Sequence, residues 1–422
     1  MEKIDLKNLT LPELTAWVES LDLKPFRANQ IFAWIQRPDF TDFMAMTDIA
    51  KHVRGLLAEK AMLSRLEPSK VEHSRDGTVK FAFTLHDGQV IESVLIPEDE
   101  RYTLCVSSQV GCAMGCRFCL TGTMGFKRNL TVAEIIGQVD AAWRWLLARP
   151  GAIPEKVSDH GAPHLAAIEP AHVLMYALPS RLPQPAAPRD RLPRRHRDQL
   201  PEKSRISNLV FMGMGEPLLN FDHLIRAIKI LMEQRGHDFS GRRITVSTCG
   251  IVPKMREMGE QVPVNLAVSL HAADDAIRER LMPINKKYPL DQLLRACREY
   301  PLPPRRRIMI EYVLIKDLND SAAQARLLVK KLHGIRCKIN ILPYNEGPES
   351  RKSQENPENP DFPYRRPDEE TVENFRQILR KAGHTTLLRQ SRGSDISAAC
   401  GQLAAKASLA VVDDEMNNDI EK

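Results

Sequence analysis

The stretch Cys105–Phe126, CVSSQVGCAMGCRFCLTGTMGF, holds four of the chain's eight cysteines between positions 105 and 119. Cys112, Cys116 and Cys119 form C-x3-C-x2-C. Thiolates at such spacing hold iron–sulfur clusters or structural zinc, usually four together. Only three lie in this motif, Cys105 sits on a β-rich run upstream, and no second C-x2-C occurs to complete a zinc ribbon. Three ligands on a four-iron cluster leave one iron open to chelation by an amine and a carboxylate, as catalytic zinc keeps an open position. On the cysteines alone, structural zinc or buried thiols remain the alternatives.

Outward from this stretch, β-branched runs alternate with amphipathic ones, the pattern of a parallel sheet with crossover helices. Strands are expected at TLCVSSQ, NLVFMGMGEP, RRITVSTCG, VNLAVSLHA, RIMIEYVLI and KINILPYN. The first intervening helix opens with Thr131 and Glu134 in capping-box spacing. Six such units predict an α/β fold with a partial (β/α)6 barrel. Gly215, Glu216, Ser247, Ser269, Leu270, His271 and Asn345 then fall at C-terminal strand ends, the face where barrel enzymes build their sites. Gly213 and Gly215 in MGMGEP (Met212–Pro217) read either as a tight turn or as backbone open to a ligand.

Residues 1–70 carry three segments with apolar residues at helical spacing, LPELTAWVESL, PFRANQIFAWIQR and TDIAKHVRGLLAEK, and predict a small helical accessory domain. The core is expected over 71–405, with an N-terminal β-hairpin extension at 79–97 turning on Asp87-Gly88. Within the core, residues 151–205 hold nine prolines and nine Lys/Arg against six Asp/Glu, a composition suited to a surface insertion rather than a packed unit. Residues 406–422 read as a charged tail. No apolar run approaches the roughly 20 residues of a spanning helix, and MEKIDLKNLT lacks the apolar core of a secretory signal. The expectation is a cytoplasmic chain without membrane contact, where clustered thiols bind metal or react. A net charge of +6 is weak support for an anionic partner such as RNA.

The cysteine spacing, with Phe118 before the last cysteine, resembles the signature of the radical S-adenosylmethionine superfamily. More narrowly, CVSSQVGCAMGCRFC, TGTMGFKRNLT, MGMGEPLLN, VSTCGIVP, AVSLHA, LPYN and RGSDISAACGQL resemble, in this order, the RlmN family of radical S-adenosylmethionine RNA (adenine-C2) methyltransferases, relatives of the C8-methylating Cfr enzymes. The resemblance covers nearly the whole chain apart from 151–205. It implies a 4Fe-4S cluster on Cys112, Cys116 and Cys119, and S-adenosylmethionine contacts from Gly215, Glu216, Ser247, Ser269, Leu270, His271 and Asn345. Cys400 matches the cysteine that becomes S-methylated, Cys105 its transient disulfide partner, and Glu92 the proton acceptor.

Carbon 2 of adenine lies between two ring nitrogens and is electron-poor, so ordinary transfer of a methyl cation fails there. The resemblance implies instead that one S-adenosylmethionine methylates Cys400 and a second, cleaved reductively, activates that methyl group, two per turnover. The implied partners are 23S rRNA near the peptidyl-transferase centre, tRNA beside the anticodon, and an electron donor such as flavodoxin, with the enzyme a monomer. Competing readings are a C8 methyltransferase and a zinc-containing RNA-binding protein. Cys249 departs from the serine expected in VSTCG, and Cys297 and Cys337 read as structural.

Overall fold

The computed structural model describes residues 3–98, 101–149, 205–346 and 364–404. The 151–205 segment, Arg205 excepted, and the 406–422 tail lie outside the described residues. Helices α1 (Leu11–Glu19), α2 (Phe26–Ile35) and α3 (Lys51–Lys60) form where helical spacing puts them. Helix α1 starts at a capping box in which Thr10 N donates to Glu13 Oε2 at 2.8 Å. Strands β1 (Ile4–Asp5) and β2 (Ala61–Met62) pair in parallel and join the two ends of this module, a pairing too short to leave a pattern in the sequence.

Strands β3 (Lys70–His73), β4 (Val79–Thr84), β5 (Val90–Glu98) and β6 (Arg101–Cys105) are successively antiparallel. The expected hairpin is β4–β5, with Thr84 opposite Val90 across the Asp87-Gly88 turn. It does not project from the core. Strand β3 covers its outer edge, and β6 continues it into the main sheet. After β6 come a two-stranded antiparallel pair, β7 (Gln109–Gly111) and β8 (Phe126–Asn129), enclosing the short helix α4 (Leu120–Thr123), and then helix α5 (Val132–Leu147).

The rest of the sheet is parallel: β9 (Ile206–Phe211), β10 (Ile244–Thr248), β11 (Asn265–Ser269), β12 (Ile308–Leu314) and β13 (Cys337–Pro343) follow β6 side by side in chain order. Helices α6 (Phe221–Met232), α7 (Val252–Gln261), α8 (Asp275–Leu281), α9 (Leu290–Glu299) and α10 (Ala322–Lys331) cross between them, and α11 (Glu369–Lys381) leads to β14 (Thr386–Leu388), parallel to β13. Strand β14 is a seventh parallel strand that the sequence reading missed, because its three residues are mostly exposed and show no alternation. Central strands alternate: the register places Leu266, Val268, Ile310 and Ile339 on one face, fully buried, while the opposite face carries Ser247, Ser269, Glu311 and Asn340. Among the described residues, no helix is long and apolar enough to cross a membrane.

Helix α5 opens as its capping box predicts: Thr131 Oγ1 accepts from Glu134 N at 3.1 Å, and Thr131 N donates to Glu134 Oε2 at 2.9 Å. Glu134 also accepts from Arg128 at 2.8 Å, and Arg128 reaches Asp87 at 2.6 Å, which ties the hairpin turn to the helix start. Hydrogen bonding from Arg128 holds the Asp87 carboxyl down to about 2.

The N-terminal module docks on α5 through buried charge. Lys7 Nζ donates to Asp140 Oδ2 at 2.6 Å, and His237 Nε2 lies 3.4 Å from Asp140 Oδ1. Burial opposes the Asp140 charge, but Lys7 prevails and its carboxyl stays below the usual range. Burial holds His237 toward its neutral form, so it cannot stand in for the lysine. Lys7→Met is therefore expected to lower unfolding free energy in urea by about 3 kcal/mol, the cost of stranding a buried charge, with part recovered in Lys7→Met/Asp140→Asn.

Candidate active site

Strand β6 ends at Cys105, and the next residues lace onto the loop that follows β9. Gly213 N donates to Val106 O at 3.1 Å, Met214 N to Ser107 Oγ at 2.8 Å, and Glu216 N to Gln109 Oε1 at 2.9 Å. A Cβ on Gly213 would stand 2.7 Å from Ser107 Oγ, and one on Gly215 would stand 2.5 Å from Gln109 Cβ. Gly215 also has φ +94°. Both glycines of MGMGEP thus answer first to backbone packing. The Glu216 side chain turns inward, accepting from Cys249 N at 2.8 Å and Leu218 N at 3.0 Å, and burial raises its pKa. It joins the ends of β9 and β10.

The cysteine loop is closed by β7 and β8, with Cys112 N donating to Gly125 O at 3.0 Å and Cys119 N to Cys116 O at 3.1 Å. A Cβ on Gly111 would fall 1.8 Å from Gly125 O, so only glycine permits this closure. Burial pushes the Cys112 thiol up to about 12 and raises Cys116 and Cys119 as well, and the charge of Cys119 adds to the effect at both Cys112 and Cys116. Left to themselves such thiols stay protonated. A positive metal centre is what would make them thiolates. Among the described residues, no three His, Cys, Asp or Glu side chains converge as they would on one ion. Three thiols spread over one loop suit separate corners of a polynuclear cluster.

The other predicted residues lie along the same sheet edge. Ser247 and Ser269 are half-buried at the ends of β10 and β11, and Leu270 is buried. His271 has φ +56°, its Nδ1 accepts from Val313 N at 3.1 Å, and Phe118 meets its ring edge-on at 4.8 Å. Burial, helped by Arg278, pushes His271 down to about 3, so it is a neutral acceptor. Arg278 is fully buried and donates to Cys249 O at 2.8 Å, Leu270 O at 3.2 Å and Ser269 O at 3.3 Å. It gathers the carbonyl ends of β10 and β11 and places a positive charge toward Cys116. Nothing local in the sequence marks it, because these partners come from two segments separate from its own helix.

Cys105, Cys119, Gly213, Asn345, Arg389 and Cys400 line one cleft. The two thiols assigned to transient pairing, one from β6 and one from near the end of the chain, thus share a wall with the last cysteine of the loop. Cys105 is buried and pushed up to about 12, first by that burial and then by Cys400, whereas Cys400 is exposed. Both are free thiols. Arg389 is a cation of this wall, its pKa raised chiefly by Cys400, and no motif in the sequence marks it. Asn345 accepts from Ser391 Oγ. The Cys400 loop is held to the cysteine loop by Leu120 N to Gly401 O at 2.8 Å and Thr121 Oγ1 to Leu403 O at 2.6 Å. Cys112, Cys116, Gly215, Glu216, Ser247, Ser269, Leu270 and His271 lie outside the cleft lining, as does Glu92. Glu92 is buried on β5, its Oε2 accepting from Ala404 N at 2.9 Å.

Comparison with known proteins agrees with this geometry. Residues 4–63 match the ribosomal RNA large subunit methyltransferase N-terminal domain, and residues 177–327 match the radical SAM superfamily. The chain is 47% identical over 403 residues to the dual-specificity RNA methyltransferase RlmN of Desulfotalea psychrophila, covering 96% of this chain and 95% of that one. It is 43% identical over 406 residues to RlmN of Syntrophobacter fumaroxidans, covering 96% and 99%. A match of that extent runs through 151–205, so the segment lies within the likeness to these relatives. A crystal structure of a radical SAM methyltransferase from Sphaerobacter thermophilus superposes with a TM-score of 0.74 at 38% identity, covering 96% of this chain and 100% of the other.

An α/β sheet with a three-cysteine loop at its C-terminal edge, in such company, defines a radical S-adenosylmethionine RNA methyltransferase, a class that carries a 4Fe-4S cluster and S-adenosylmethionine. Within that class the chain belongs to the RlmN family of dual-specificity RNA methyltransferases.

Anaerobic reconstitution is expected to load about four irons per chain. Cys112→Ala, Cys116→Ala and Cys119→Ala should each abolish stable loading in a colorimetric iron assay. Cys297→Ser and Cys337→Ser should not, nor should Cys249→Ser, whose hydroxyl replaces the thiol that faces Glu216.

Proposed function

We propose that this enzyme methylates C2 of adenine in 23S rRNA and in tRNA beside the anticodon, through S-methylated Cys400 and a transient Cys105–Cys400 disulfide. One observation carries the reading: Cys105 and Cys400 line a single cleft together with Cys119 of the cysteine loop. In this reading Cys112, Cys116 and Cys119 hold the cluster. Gly215, Glu216, Ser247, Ser269, Leu270, His271 and Asn345 form the S-adenosylmethionine site, used twice per turnover. The sequential order of six parallel strands with crossover helices supports a partial (β/α)6 barrel as the frame.

When bound, the cluster and S-adenosylmethionine supply a methyl group and the one-electron chemistry that an electron-poor carbon demands. The chain's own groups do the rest. Cys400 Sγ accepts the methyl group and, once that carbon is bonded to adenine C2, tethers the RNA. Glu92 takes the C2 proton. Cys105 Sγ then attacks Cys400 Sγ; the sulfur–carbon bond breaks with its electron pair left on carbon, which gains a proton and becomes the product methyl group. The resulting disulfide is reopened by a cytosolic dithiol. The burial that keeps Cys105 protonated suits a thiol needed only at this last stage.

The target base has to leave its stack to enter the cleft. In the same reading residues 1–70 are an accessory domain that recognises RNA shape and 71–405 form the catalytic core, in a cytoplasmic monomer fed electrons by a donor such as flavodoxin. Reconstituted enzyme incubated with unmodified rRNA, S-adenosylmethionine and reductant is expected to yield 2-methyladenosine by nucleoside mass spectrometry, and Cys400→Ala none. A product that co-elutes with 8-methyladenosine would overturn the regiochemistry. Cys105→Ala should accumulate a covalent protein–RNA adduct on denaturing gels, and simple loss of RNA binding would contradict its role.

A further inference from the structure

We propose that Lys80 is a positioning residue that couples Glu92 to the loop carrying Cys400. The inference rests on the reading of Glu92 as the C2 proton acceptor. The register of β3–β5 places Glu72 opposite Lys80, and Ala82, two residues on along the same face of β4, opposite Glu92. Glu72, Lys80 and Glu92 therefore share one face, Lys80 and Glu92 as diagonal neighbours. Lys80 is buried, with Nζ 3.1 Å from Glu72 Oε2 and 3.3 Å from Glu92 Oε1, and it donates to Ile396 O at 2.7 Å. An ammonium has three donors, and all three find acceptors here.

The second Glu92 oxygen accepts from Ala404 N. Ile396 and Ala404 flank Cys400, so the base and both arms of the reactive loop meet at one buried cation. The loop has other anchors: Asp395 accepts from Ser74 Oγ at 2.6 Å, and Asp76 Oδ2 accepts from Gly393 N at 2.9 Å. Neither of these anchors involves Lys80. What the lysine adds is communication. When Glu92 takes the C2 proton, the charge facing Lys80 disappears, and the tie between base and loop slackens at the stage when Cys105 must reach Cys400.

The test uses full-length reconstituted enzyme. Lys80→Gln keeps an N–H donor for Ile396 O and removes the charge. Iron content and Cys400 methylation, read by intact-protein mass, are expected to match the parent. A covalent protein–RNA adduct should accumulate and turnover fall about tenfold, a fraction of what a general base contributes. Lys80→Arg should restore turnover. An unchanged rate, loss of Cys400 methylation together with the adduct, or failure of arginine to rescue would each overturn the proposal. If Lys80→Gln does not fold, Lys80→Met takes its place; failure of both to fold would make the lysine structural and also overturn it. Glu92→Gln separates the two levels. If it forms no adduct, the reading of Glu92 falls and Lys80's role with it; if it does and Lys80→Gln does not, only the role of Lys80 is lost.

Discussion

Strand β6 carries a constraint on which the rest of the molecule depends: it must satisfy antiparallel β5 on one side and parallel β9 on the other. Its last residue, Cys105, stands between Val94 and Val210, where the two halves of the sheet join. Because the chain leaves β6 there, the segment 106–109 is forced against the loop after β9, and the two glycines of MGMGEP are what let the backbones approach. The cysteine loop follows directly. Pairing on β6 thus sets the positions of Cys105, the three-cysteine loop and the nearest strand-end loop.

Burial decides the electrostatics of that region. Three cysteines, Glu216 and Cys249 are all pushed toward their neutral forms, and Arg278 is the buried cation among them. A site built this way is poor at holding thiolates unless a metal centre supplies the charge, which is the condition under which a radical S-adenosylmethionine enzyme works. His271 is neutral for the same reason and serves as a fixed acceptor joining Phe118 of the cysteine loop to β12. Arg278 spends its donors on the carbonyls that end β10 and β11, so one side chain both shapes the strand-end rim and offsets nearby negative charge.

The antiparallel strands next to β6 have a task beyond sheet extension. Their outer turn binds Gly393 and Asp395, and their inner face presents Lys80 and Glu92 to Ile396 and Ala404. On its other side the Cys400 loop is held by Leu120 and Thr121 of the cysteine loop. Cys400 is therefore suspended between the antiparallel strands and the three-cysteine loop, itself exposed while the backbone around it is pinned. Such a support suits the role proposed for Cys400, a thiol that takes a methyl group, tethers a nucleobase and then pairs with Cys105.

The sequence by itself determined what depends on neighbours along the chain. The C-x3-C-x2-C loop, the Thr131–Glu134 cap, the Asp87-Gly88 turn and the six long parallel strands each rest on local spacing or on the alternation of β-branched and amphipathic runs, and each was legible. Short strands were not: β1, β2, β7, β8 and β14 are stabilised by the partners they find, and two to four residues carry no period of their own. The tertiary structure alone decided that Cys105 and Cys400 share a cleft wall with Cys119 and Arg389, that Glu92 and Lys80 clasp the loop between 396 and 404, and that Arg278 gathers Cys249, Ser269 and Leu270. Each of these joins residues distant in the chain through single hydrogen bonds or a shared cleft wall. Such contacts follow from strand register and loop closure, and the identity of the residues involved does not announce them.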